Sequence, residues 1–144
     1  MVSTLPTFGR VTRTSGGDTE RAPRLLVVDD EAPVRRMLRD VFQSFGYDVV
    51  VAASGVEALR LFADGGYDAV VTDLLMPGMN GWEVVARLRH AAPDVPVVML
   101  TGSVPDIDFE RVRRERITLV QKPATLTRLR AVLRDVLAGP DAGR

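Results

Sequence analysis

Five short apolar runs recur along this chain, and each is followed by a stretch with helical spacing. The runs are RLLVV (24–28), YDVVVA (47–52), YDAVVT (67–72), VPVVML (95–100) and ITLVQ (117–121). Runs this short and rich in branched residues read as strands buried on both faces. Parallel neighbours need a crossover between them, and the intervening helices supply it. The alternation therefore predicts an α/β fold, a doubly wound five-stranded parallel sheet with helices on both faces.

The helical stretches differ in quality. Val34, Met37, Leu38, Val41, Phe42 and Phe45 repeat at helical spacing, and Gly46 supplies a stop. Ser54 is placed to cap a second helix that carries Val56, Leu59, Leu61 and Phe62 and ends at Gly65 and Gly66. Gly81 opens a third, with Trp82, Val84, Val85 and Leu88 apolar. A polar, weakly patterned helix is expected over 106–115. The last places Leu126, Leu129, Val132, Leu133, Val136 and Leu137 on one side. Residues 1–23, including TRTSGGDTERAP, lack either periodicity and are expected to form a flexible tail. Residues 139–144 read as a frayed end, which leaves one domain over 24–138. With no second domain visible, output is expected from that domain's own surface.

Open parallel sheets place their functional crevice at the carboxyl ends of the strands. Asp29 and Asp30 follow the first run, Asp73 the third, Thr101 the fourth and Lys122 the fifth. Only the second run ends without such a residue, as expected of an edge strand. Lys122 is also the single lysine beside eighteen arginines. A compact ammonium thus stands where a planar guanidinium fork was otherwise the habit of the chain.

Three carboxylates held together repel one another unless a cation shares them. With no cysteine and one histidine, the ligands must be oxygens, which favours a hard divalent cation such as Mg²⁺. Asp73, between the acidic pair and the Thr–Lys side, is the natural nucleophile for an acyl phosphate. Mg²⁺ and Lys122 would neutralise the phosphoryl charge, and Thr101 would donate a hydrogen bond to it. Gly102 leaves room for phosphate and offers a backbone N–H. The balance of 19 acidic and 19 basic residues gives no electrostatic argument for nucleic acid or an anionic membrane as partner. No apolar stretch nears the roughly 20 residues of a membrane span, and no signal-peptide core is present, so a cytoplasmic location is expected.

LLVVDDE, VVTDLLMPGMNG, VVMLTG and VQKP resemble, in order, the signature blocks of response-regulator receiver domains. The resemblance runs from about Arg24 to Ala138. It implies the flavodoxin-like strand order 2-1-3-4-5, with Asp73 as phospho-acceptor. Asp30 would bind Mg²⁺ directly with Asp29 nearby, and the backbone carbonyl of Leu75 would complete the metal ligands. Thr101 becomes the switch hydroxyl, Lys122 the phosphate partner, and Lys122–Pro123 a cis peptide. The implied donor is a phosphohistidine on a sensor histidine kinase or phosphotransfer protein. Such a domain catalyses only its own aspartyl phosphorylation and dephosphorylation. The fourth-helix to fifth-helix face would serve a downstream protein or a homodimer, and the first helix would dock the kinase. No binding to nucleic acid by the domain itself is expected.

Two positions depart from the family pattern. Leu119 stands where receivers commonly carry Tyr, Phe or His, and Ala124 where Phe is frequent. Leucine has no polar tip to exchange between inside and outside. We therefore expect phosphorylation to be retained, with the conformational output muted or carried by the helix before Ile117. Two rival readings are an aspartyl-phosphate phosphatase and a phosphorylation-independent binding module. The first needs an acid two residues after the nucleophile, where this chain has Leu75. The second is opposed by the intact set of Asp29, Asp30, Asp73, Thr101 and Lys122. The basic stretch RVRRERI (111–117) reads as a solvated face with interleaved acids, Trp82 as a packing residue, and His90 as a helix-dipole partner. Glu31 reads as a first-turn helix acid, and Arg35, Arg36 and Arg39 as exposed.

Overall fold

The computed structural model describes residues 21–102 and 107–139. Most of the expected N-terminal tail, the C-terminal residues 140–144 and the expected helix start at Asp106 lie outside the described residues. Five strands, β1 (Arg24–Val28), β2 (Asp48–Ala52), β3 (Ala69–Asp73), β4 (Val97–Thr101) and β5 (Ile117–Gln121), alternate with five helices. These are α1 (Ala32–Ser44), α2 (Gly55–Ala63), α3 (Gly81–Ala91), α4 (Phe109–Arg114) and α5 (Leu126–Ala138). All pairings are parallel, and the order is β2-β1-β3-β4-β5. The expected order holds, and β2 lies at an edge.

The two-residue period of the strands divides the core between two faces. Leu26, Val70, Val97 and Ile117 occupy one register row, and they pack with Ala58 of α2 and Val84, Val85 and Leu88 of α3. Leu25, Val27, Val71, Val98 and Val120 face the other way, against Leu38 and Phe42 of α1 and Leu129, Val132 and Leu133 of α5. Both faces are covered, which is why the strand sequences are continuously apolar instead of alternating. Phe42 is fully buried, so its truncation to alanine would cost about 3–5 kcal/mol.

Local chemistry sets the helix ends. Ser54 accepts a hydrogen bond from the Glu57 amide (3.1 Å), as expected. Asn80 and Glu83 form a reciprocal capping box at α3, and Thr125 caps α5 through the Arg128 amide (3.0 Å). Neither cap is set apart by its spacing, although each residue type is an ordinary cap. Pro33 sits in the first turn of α1, where a missing N–H leaves no bond unmade. Gly65 and Gly66 follow α2 at φ +84° and +90°, a conformation that favours glycine.

Several boundaries differ from expectation. Asp73 and Thr101 are the last residues of β3 and β4, not the first residues beyond them. Tyr67 and Asp68 fall outside β3 because the Asp68 carboxylate is engaged by the Arg24 amide (2.8 Å) and the Arg21 guanidinium (3.0 Å). Pro96, without an N–H, stands outside β4, although its carbonyl accepts from Val70 (2.9 Å). α4 is shorter than 106–115, because Asp108 caps it through the Arg111 amide (3.0 Å) and the helix begins only at Phe109. Among the described residues no helix is long and apolar enough to cross a membrane.

Candidate functional site

The carboxyl ends of β1, β3, β4 and β5 bring the expected residues to one rim. Asp29 follows β1 and is fully buried, whereas Asp30 beside it is exposed. The Asp29 amide extends the ladder to the Ala52 carbonyl (3.1 Å), which fixes where its side chain leaves the sheet. Asp73 ends the central strand. Its Oδ1 accepts from the Leu74 amide (2.9 Å), while the Leu74 amide also reaches the Leu100 carbonyl (3.0 Å). Lys122 follows β5, and its amide donates to the Thr101 carbonyl (2.7 Å), so these two residues are neighbours across the ladder. The Lys122–Pro123 bond is cis.

Lys122 Nζ lies 3.4 Å from Asp73 Oδ1 and 3.9 Å from Asp29 Oδ2. One ammonium therefore serves two carboxylates, with a third close by. Carboxylate oxygens of Asp29, Asp30 and Asp73 all lie within 4.8 Å of one another. Asp29 Oδ1 accepts from the Glu31 amide (2.8 Å), but Asp29 Oδ2 is buried with no hydrogen-bond partner among the described residues. Burial pushes the Asp29 carboxyl above its ordinary value, against the Glu31 hydrogen bond. The Asp73 charge raises it further, Lys122 opposes, and Asp30 adds a smaller push upward. Three acids facing one lysine leave two negative charges uncompensated. A buried, unpartnered carboxylate oxygen in an all-oxygen donor set is what a hard divalent cation would satisfy.

Thr101 is also buried, and its Oγ1 has no partner among the described residues. Such a hydroxyl costs free energy until something accepts from it. An added Cβ at Gly102 would meet no atom of the described residues within 4 Å, so open space lies beside Thr101. Leu75 follows on the loop after β3, with its side chain exposed.

The sequence did not point to three contributors. Arg35, expected to be exposed, is half-buried, and its Nη1 donates to the Asp29 carbonyl (2.8 Å). Thr72 is fully buried within β3 and donates to the Asp73 carbonyl (3.0 Å). Gly81 opens α3, and a Cβ there would stand 2.5 Å from the Asp73 carbonyl oxygen and 2.9 Å from Leu74 Cα. Nothing in their spacing signals these contacts, which arise only when the loops fold back. Glu31 precedes α1 and makes no capping side-chain bond, so it is not a first-turn helix acid. Trp82 packs against the core as expected, with the Arg111 guanidinium 4.7 Å from its ring centre. His90 is in the last turn of α3 and exposed.

Comparison with known proteins gives a consistent picture. The family model described as "Response regulator receiver domain" matches residues 25–134. The response regulator MprA of Mycobacterium sp. (strain KMS) is 41% identical over 125 residues, covering 83% of this chain and 54% of that protein. The chain spans about half the length of the curated relatives it matches. Among solved structures, the chemotaxis protein CheY4 of Vibrio cholerae is similar, with 30% identity and a TM-score of 0.75. That match covers 80% of this chain and 98% of CheY4. The response regulator TrrA of Thermotoga maritima, in complex with Mg(2+)-BeF, is 32% identical with a TM-score of 0.73. It covers 79% of this chain and 98% of TrrA.

Proposed function

The chain belongs to the response regulator receiver domain family of two-component systems, and from that premise we propose that it accepts a phosphoryl group on Asp73. The observation that carries this reading is the Asp73 carboxylate at the end of the central strand, 3.4 Å from the ammonium of Lys122 and beside the acidic pair. It is a signalling domain and not an enzyme with an external substrate to turn over. The donor is a phosphohistidine on a sensor histidine kinase or a phosphotransfer protein. An Asp73 carboxylate oxygen attacks phosphorus, and the phosphorus–nitrogen bond of the donor breaks. The departing imidazole nitrogen keeps the bonding pair and takes a proton from water.

The chain's own residues position and neutralise. Lys122 holds a carboxylate oxygen of Asp73 before transfer and a phosphoryl oxygen after it. Thr101 gains an acceptor for its orphaned hydroxyl once a phosphoryl oxygen is present. The Gly102 amide borders the open space where that group would sit. Asp29, Asp30, Asp73 and the Leu75 carbonyl would hold Mg²⁺, which supplies charge neutralisation for the transferred group. The complex of the related TrrA with Mg(2+)-BeF supports this assignment. We also assign the α4–α5 face as the surface for a downstream protein or a second copy.

Incubation with Mg²⁺ and acetyl phosphate tests the reading. A stable modification at one site, absent in Asp73→Asn, is expected. No modification would indicate a phosphorylation-independent binding module, and multiple turnover of phosphate esters would indicate a phosphatase.

A further inference from the structure

A second group of unspent charge lies at the opposite end of the sheet. Pro93 and Val95 precede β4, and Glu115 and Arg116 precede β5, whereas Thr101 and Lys122 mark the far ends of those strands. A five-residue strand rises about 16 Å, so the two ends are well separated. Here Arg89, Pro93, Arg114, Glu115 and Arg116 line a cleft of about 350 Å³.

Arg89 comes from the last turn of α3 and is half-buried. It donates to the carbonyls of Glu115 (3.0 Å), Val95 and Arg116 (3.3 Å). Main-chain oxygens thus occupy three of its donors, and no carboxylate pairs with it among the described residues. Burial lowers the Arg89 guanidinium from its ordinary value, and the neighbouring Arg116 adds to this while Glu115 and Asp94 oppose it. Glu115 is the one acid in the lining, and its Oε2 is already held by Arg111 Nε at 2.9 Å. Arg116 donates to the Pro93 carbonyl, and its one carboxylate among the described residues, a fully exposed Asp94, is 3.8 Å away. Glu115 and Glu110 therefore pair with Arg111 and Arg113, Arg116 keeps only the exposed Asp94, and Arg114 is left without an ion pair among the described residues.

We propose that this cleft, with Arg89 fixed at its wall and Arg114 and Arg116 at its edge, binds a small phosphorylated anion. The fixed Arg89 fork beside the exposed guanidinium groups of Arg114 and Arg116 presents planar donors that match phosphate oxygens. The cleft is too small for a helix or strand of a partner but takes a group of mononucleotide size or less. Inorganic phosphate and a nucleoside monophosphate share the required chemistry.

The test is titration of the whole wild-type chain, without Mg²⁺, with inorganic phosphate, AMP and adenosine, followed by amide NMR shifts. Saturable shifts at Glu115, Arg116 and the Arg89 side chain with phosphate or AMP, and none with adenosine, are expected. Saturation by AMP alone would identify a nucleotide, and saturation by phosphate with no tightening by AMP would identify the free ion. Arg114→Gln combined with Arg116→Asn should weaken binding by about ten-fold, because it removes charged donors. Asparagine tolerates the φ of +55° at position 116, and a thermal melt confirms that the variant folds. Arg114→Gln alone, at an exposed residue, should weaken binding less. Shifts that never saturate, equal binding of adenosine, or unchanged affinity in the double variant would overturn the proposal. These readouts fall on residues remote from Asp73, so they stand or fall separately from phosphorylation there.

Discussion

At Lys122 the choice between two cations becomes a matter of geometry. Its ammonium reaches both Asp73 and Asp29 as a point charge, whereas a planar guanidinium fork would present its donors in a different geometry. Lys122→Arg should keep the charge yet slow acetyl phosphate labelling by about 10- to 100-fold, since small misplacements of a positioned group carry such costs. A labelling time course measures this, and wild-type rates would return the lone lysine to accident of composition. Thr101→Val removes a buried hydroxyl that has no partner among the described residues, so the unphosphorylated protein should gain about 1 kcal/mol in urea unfolding. Gly81→Ala has the opposite sign. Its Cβ meets main-chain atoms that cannot swing aside, and a loss of about 1–3 kcal/mol is expected. The rim residues were legible because each directly ends or follows an apolar run. Gly81, Arg35 and Thr72 were not, because their roles depend on loop return and not on spacing.

Among the elements, α4 is the outlier. Its six residues include no buried one. Val112 packs partly buried against the core, and the other ties are polar: Arg111 against Trp82 and Glu115, and Arg89 beneath the turn that leads into β5. Elements with few buried apolar contacts open at low free energy. The amides of α4 should therefore exchange faster than those of α3, where Val84 and Val85 are fully buried. Leu119 lies partly buried in the apolar face beneath α2–α4. With no polar tip there, phosphodonor-induced NMR shifts should concentrate on Thr101 and α4. Large shifts spanning Leu119 and all of α5 would count against that route. α4 was also the element least well read from sequence, since weak hydrophobic periodicity gave no inner face from which to judge its ends. The strong periodicity of α1 and α5 had made both legible almost to the residue.

For the molecule as a whole, two apolar layers hold a rim that is electrostatically unfavourable without a bound cation. Asp29 carries the clearest sign of this, because its folded-state carboxyl is raised above the ordinary 3.8. The folded protein then keeps this proton to higher pH than the unfolded chain, so stability falls as pH rises through that interval. The penalty is complete once pH exceeds the folded-state value. Asp29→Asn should therefore stabilise the metal-free protein at pH 7, and its advantage should shrink as pH falls toward the ordinary value. Mg²⁺ should raise the melting temperature of the wild type and do so much less for the variant. The layer architecture followed from the alternation of runs, and the strand order from the resemblance to receiver domains. The net charge of the rim followed from the residue types. The burial that makes Asp29 differ from exposed Asp30 did not, since adjacent identical residues carry no signal of which one turns inward.

The central claim is a covalent bond between Asp73 and phosphorus. Borohydride reduces an acyl phosphate to an alcohol and so converts a phosphorylated aspartate into homoserine, which peptide mass spectrometry can locate. After treatment with Mg²⁺ and acetyl phosphate, homoserine should appear at position 73 and nowhere else, and chelation of the metal should suppress it. Homoserine at another aspartate, or none at all in folded protein with Mg²⁺ present, would contradict the account.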